Sequence, residues 1–145
     1  MKAHLLEGNE SLSAEQLTAE GIFAAVLPTE EQSYRAEVDR IKGERGYIQE
    51  DIVELSPDTP GLDAICAKFL DEHHHDEDEV RFVLSGEGIF DIRDSQDRYM
   101  RVKVEQGDMI VVPAGRHHRF LLTESKAIRC VRLFKDPSGW VAHYR

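Results

Sequence analysis

The stretch that decides the fold is residues 73–86, His73-His74-His75-Asp76-Glu77-Asp78-Glu79-Val80-Arg81-Phe82-Val83-Leu84-Ser85-Gly86. His73, His75 and Glu79 are three potential metal ligands within seven positions, and a fourth, His118, closes the run Pro113-Ala114-Gly115-Arg116-His117-His118. Alternate residues of a strand share a face, so His73 and His75 point at one centre while His74 points away. Glu79 needs only a bend to approach the same centre. His118 comes from another strand, which closure of a barrel brings near. Two nitrogen-rich segments and one carboxylate suit a divalent transition metal such as iron, nickel, manganese or zinc.

Short β-type runs surround this pair of segments. Residues 80–84 are followed by Ser85-Gly86-Glu87-Gly88, which reads as a Gly-containing hairpin, with 89–93 as the returning strand. Turn residues 94–97 lead to strands expected at 100–104, 109–112, 119–122 and 127–134. Such spacing describes a sandwich or small barrel rather than a doubly wound parallel sheet.

The front of the chain is helical. Ser13-Ala14-Glu15-Gln16 is a capping box for a short helix ending near Gly21. An apolar run at 22–27 reads as a strand. Thr29-Glu30-Glu31-Gln32 reads as a second capping box, for a helix carrying Tyr34, Val38 and Ile41 up to Gly43. Residues 52–55 read as a strand. Thr59-Pro60 reads as a helix start, with Leu62, Ile65, Phe69 and Leu70 as its apolar stripe. The expected organisation is one domain over 1–145, with a helical portion over about 1–72 and a β-barrel core over about 73–134.

A net charge of −10 argues against nucleic acid or an anionic membrane as partner. No apolar run is long enough to span a bilayer, and the N-terminal residues turn polar too soon for a secretory signal. Cys66 and Cys130 read as reduced core residues of a cytoplasmic protein. The acidic surface favours a monomer.

His73-x-His75-x-x-x-Glu79, six residues, Gly86, then Gly107, five residues, Pro113-x-Gly115, two residues, His118 resembles the paired signature of the cupins. The implied fold is an all-β core with flanking helices, a cupin-type double-stranded β-helix or jelly-roll barrel. Within the cupins the chain resembles the acireductone dioxygenases through residues 68–73, 76–82, 107–115 and 132–134, with Gly139-Trp140. Many members of that family continue beyond the position of Trp140, so a pocket wall built from such a tail is expected to be missing or rebuilt here.

The resemblance implies one Fe2+ per chain, or Ni2+ in its place, held by His73, His75, Glu79 and His118. With neutral imidazoles and one carboxylate the site carries a charge of about +1, which attracts an enediolate dianion. The implied substrates are 1,2-dihydroxy-3-keto-5-methylthiopentene, an acireductone of methionine salvage, and O2. Iron would give formate and 4-methylthio-2-oxobutanoate; nickel would give formate, carbon monoxide and 3-methylthiopropanoate. Glu79 and Arg81 are the candidate catalytic residues. Arg81 shares strand parity with Glu79 and is expected to hydrogen-bond the substrate. Phe69, Phe120, Trp140 and Arg132 are the other candidate substrate contacts, and Asp78 with Arg132 the candidates for supporting the ligands. His74 and His117 are set aside as ligands. Two other classes use the same barrel: an isomerase or decarboxylase with zinc or manganese as electrostatic template, and a non-catalytic small-molecule-binding protein.

Overall fold

The computed structural model describes residues 1–145. Along the chain run β1 (Lys2–Leu5), α1 (Ala14–Ala19), β2 (Phe23–Val26), α2 (Glu31–Arg45), β3 (Gln49–Leu55), α3 (Leu62–Leu70), β4 (His73–His74) and β5 (Glu79–Arg93). Then follow β6 (Tyr99–Glu105), β7 (Asp108–Val112), β8 (His118–Leu122), β9 (Ile128–Phe134), a 3-10 turn at Pro137–Trp140, and β10 (His143–Tyr144). All pairings are antiparallel. One sheet runs β1-β6-β5-β8-β4-β10; the other places β2 on β7, β7 and β9 on β5, and β3 on β9. The predicted all-β core with flanking helices is what forms.

The predicted hairpin at residues 85–88 does not form. β5 continues through it as one 15-residue strand, pairing with β7 and β9 in its first half and β6 and β8 in its second. The register on β9 slips between Val83 and Ser85, so β5 carries an extra residue there. Gly86 has φ +79°, and a Cβ at that position would collide with the Ala127 carbonyl. A single left-handed glycine makes a bulge and a bend, not a reversal. The bulge also inverts the parity of the strand. Before it, Glu79, Arg81 and Val83 face inward; after it, Phe90 and Ile92 do.

Two apolar layers follow. Val83, Ile110, Val112 and Cys130 from one sheet meet Phe90, Ile92, Met100, Val102 and Val104 from the other. On the outer face of β5, β7 and β9, Val80, Phe82, Met109, Val111, Val131 and Leu133 pack beneath Tyr34, Val38 and Ile41 of α2. That is why all five residues of β7 are buried while β6 alternates. β1, which the sequence reading left unassigned, pairs with β6.

The helix ends differ in part from expectation. The Ser13–Gln16 capping box is present. The second box is not: Glu30 is the N-cap residue without a side-chain bond, and the Thr29 hydroxyl accepts from Gln106. α2 also runs past Gly43 to Arg45. α3 begins at Leu62 rather than Pro60, because the Thr59 hydroxyl is used by the Ser56 amide. Of its predicted stripe only Leu62 is buried, and Leu70 is 47% exposed. Both cysteines are free, Cys130 buried as expected but Cys66 only half-buried. No helix is long and apolar enough to cross a membrane.

Glu72, just before β4, accepts from Arg93 at 2.8 and 3.1 Å and from Arg145 at 2.9 Å. Arg93 first, against the opposing effect of burial, and then Arg145 hold its carboxyl down at about 2. The folded value lies below the unfolded one, so the stabilisation is complete above about pH 4.3 and is lost as pH falls towards 2. Glu72→Gln is therefore expected to lower stability at pH 7 by about 1–2 kcal/mol. Urea midpoints of variant and wild type should converge between about pH 4 and pH 2; a gap independent of pH would assign the effect to packing.

Candidate metal centre

The metal-ligand candidates converge from three strands and a bend. β4 presents His73, and His75 follows on the same face with the two rings 4.9 Å apart. Residues 76 and 77 bend the chain from one sheet into the other, where Glu79 begins β5. His118 begins β8 directly opposite His73 in the register. One ligand atom from each of His73, His75 and His118 lies within 4.8 Å of the others. The Glu79 carboxylate reaches His118 Nε2 at 3.2 Å and His75 Nε2 at 3.5 Å. Ligands about 2.0–2.2 Å from a common ion are separated by about 3–3.5 Å, so these distances leave room for one cation.

The orientation of the rings is set from behind. The Nδ1 of His73 meets the Asp71 carbonyl at 2.6 Å, that of His75 the Val141 carbonyl at 3.2 Å, and that of His118 the Arg116 carbonyl at 2.9 Å. A carbonyl can only accept, so each Nδ1 donates its proton and each Nε2 keeps its lone pair for the centre. His118 Nε2 is fully buried and no donor reaches it; its nearest charged neighbour is the Glu79 carboxylate at 3.2 Å. A buried nitrogen lone pair without a donor is costly and is satisfied by a metal ion. The donor set therefore fits a divalent transition metal.

The electrostatics agree. Burial first lowers the His73 imidazole, keeping it neutral. Burial alone would raise the Glu79 carboxyl, but Arg81 and His118 outweigh it and hold it well below the usual carboxylate range. Burial would lower His118, yet the Glu79 charge beside it raises it. Without a cation, Glu79 thus favours a proton on His118; a divalent ion takes that proton's place.

Asp78 stands behind the centre. It accepts from Tyr47 at 2.7 Å and from the Ala114 amide at 2.9 Å, tying the end of α2 to the loop before His118. Gly115, at φ +79°, donates its amide to the His75 carbonyl at 2.8 Å, joining the two ligand segments directly.

Above the ligands is a cavity of about 450 Å³. Phe69, Phe120, Trp140, Arg81 and Arg132 all line it. Phe69 and Phe120 meet edge to face at 5.9 Å. The Arg81 guanidinium donates to the Val80 carbonyl at 2.9 Å and to Glu79 at 3.4 Å. The Arg132 guanidinium is committed to Asp51 at 2.8 and 2.6 Å and lies over the Trp140 ring at 3.8 Å. Among the lining residues that sequence reasoning missed are Val53, Leu55, Phe90, Ile128, Cys130 and Tyr144. Phe90 would follow from the parity inversion at the bulge, and Ile128 from simple alternation with Cys130 and Arg132 along β9. Nothing local marks Tyr144, which arrives because β10 pairs it with His73. With Trp140 and Ala142 it supplies a wall from residues 140–144.

A family model described as the ARD/ARD' family matches residues 1–142. A Heterostelium pallidum acireductone dioxygenase is 44% identical over 141 residues, 97% of this chain and 95% of that protein. The chain belongs to the acireductone dioxygenase family. A family member from Sulfurihydrogenibium sp. is 51% identical over 113 residues, covering 78% of this chain and 63% of that protein. Among solved structures, the acireductone dioxygenase of Bacillus anthracis, with a cadmium ion in its active centre, superposes with a TM-score of 0.90 at 29% identity. That match covers 99% of this chain and 97% of the other, and establishes the cupin fold.

Proposed function

We propose that this chain is a metal-dependent dioxygenase that cleaves an acireductone, 1,2-dihydroxy-3-keto-5-methylthiopentene, with O2 in methionine salvage. The reading rests on its family membership and on one observation above all. Three imidazole Nε2 atoms with their Nδ1 protons committed elsewhere face a buried carboxylate at the floor of a largely apolar cavity.

His73, His75, Glu79 and His118 would hold one Fe2+, or Ni2+ in its place. When bound, the metal supplies Lewis acidity and a template on which a dianionic enediolate and O2 are brought together. The residues around it do the rest. Arg81 places positive charge beside the ligand carboxylate and faces the cavity, where it holds an anionic substrate oxygen in register. Phe69, Phe120 and Trp140 offer an apolar wall to the methylthio chain and keep water from it. Arg132, held by Asp51, keeps Trp140 in place.

Arg81→Ala is expected to keep its metal and lose kcat/KM by roughly 10- to 100-fold, the worth of about one charge-assisted hydrogen bond. Loss of metal along with activity would make Arg81 a structural support of Glu79 instead.

The function itself is tested by reconstituting the protein with Fe2+ and with Ni2+ and following O2 uptake and products. The iron form should yield formate and 4-methylthio-2-oxobutanoate; the nickel form should yield formate, carbon monoxide and 3-methylthiopropanoate. A fully loaded protein that consumes no O2 with the acireductone would overturn the proposal.

A further inference from the structure

On the outer side of the strands that carry the ligands lies a second set of imidazoles. His74 sits between His73 and His75 and faces away from the centre; His117 does the same beside His118. The His74 Nδ1 and His117 Nε2 are 3.3 Å apart, with ring centroids at 4.8 Å. β10 pairs His143 with His74 and stacks the two rings at 4.9 Å, 27° from parallel. His143 Nε2 in turn meets Asp76 Oδ2 at 3.2 Å. One ligand atom from each of His74, Asp76 and His143 lies within 4.8 Å of the others.

We propose that His74, Asp76 and His143 form a second site for a divalent transition cation of the zinc type, outside the cavity and separate from the dioxygenase centre. Two imidazoles and one carboxylate are the nitrogen/oxygen set such ions take, with solvent completing the tetrahedron. The 3.2 Å between His143 and Asp76 is close to the edge of that tetrahedron, about 3.3 Å for ligands about 2.05 Å from the ion. His117 supports this arrangement: when its Nε2 accepts from the Nδ1 of His74, the lone pair of His74 is left on Nε2.

The position gives the cation a structural consequence. His143 lies between Ala142 and Tyr144, which wall the cavity, whereas His74 and Asp76 flank His75. An ion shared among them pins the cavity's last wall to the strand carrying the inner ligands. Cation binding outside thereby orders the cover of the active site.

Zinc titrated into metal-free protein, followed by calorimetry and by metal content after dialysis, tests this. The wild type should take two equivalents. His143→Ala and His74→Gln should each keep the first and weaken the second at least about tenfold. His118→Ala should lose the inner equivalent and keep the outer. Hydrogen exchange of residues 141–145 should slow as the second equivalent binds to wild type but not to His143→Ala. A single equivalent that disappears in His118→Ala would overturn the outer site and leave the dioxygenase reading standing. A second equivalent indifferent to both outer variants would also overturn it. A single equivalent that survives His118→Ala and is lost in His143→Ala would support the outer site and remove the inner one.

Discussion

His118→Ala should purify folded and with its metal content reduced by at least about 100-fold in affinity, and turnover should fall with it. Loss of groups that merely support a ligand costs 10- to 100-fold in metal affinity, and loss of the ligand itself costs more. His118 is 2% exposed and its Nε2 has no other partner, so its one unmet bonding capacity is directed at the centre. Deleting the ring removes that bond and leaves Glu79 with Arg81 as its nearest remaining positive neighbour, at 3.4 Å. The backbone at 118 stays paired with β4 and β5, so the sheet persists. Metal analysis after reconstitution and dialysis, beside circular dichroism, separates loss of metal from loss of fold. Full occupancy in a folded variant would remove His118 from the ligand set.

Three of the four candidate ligands, His73, His75 and Glu79, lie within seven positions on a strand and a bend, where parity places His73 and His75 on one side; His118 reaches them only through the pairing of β8 with β4. Strand positions from Tyr99 onward were legible from turn residues spaced regularly between short apolar runs. The continuity of β5 was not. Ser85-Gly86-Glu87-Gly88 has the composition of a turn, and only the β9 backbone passing against Gly86 shows that the strand bulges instead of reversing. Helix starts failed where a side chain expected to cap was taken by a distant or unforeseen partner, as Thr29 was by Gln106 and Thr59 by Ser56. The cavity wall at Tyr144 depends on a pairing between residues 73 and 144, and no local pattern encodes it.

The largest loss of stability is expected from Asp91→Ala, at about 3–5 kcal/mol. Asp91 lies near the C-terminal end of β5 and is 0% exposed, and the register places Arg101 of β6 and Arg119 of β8 directly opposite it on either side. Arg101 donates to it at 2.8 and 2.9 Å, and Arg119 donates at 2.8 Å. Burial by itself would raise the Asp91 carboxyl; the two guanidiniums more than reverse this and hold it below its ordinary value. Alanine would therefore leave two half-buried cations with no counter-charge across one sheet, and their repulsion adds to the lost bonds. Arg101→Ala or Arg119→Ala should cost less, because the carboxylate keeps one partner and each arginine is 26% exposed at its side chain. A domain of this size loses about 2–4 °C of Tm per kcal/mol, so Asp91→Ala should melt about 6–20 °C below wild type. Because the folded carboxyl lies below the unfolded one, the difference should be full above about pH 4 and shrink as acid protonates the wild type. A shift of only a degree or two at pH 7 would mean that solvent already screens the pair of arginines, and that the sheet is held by its apolar face alone.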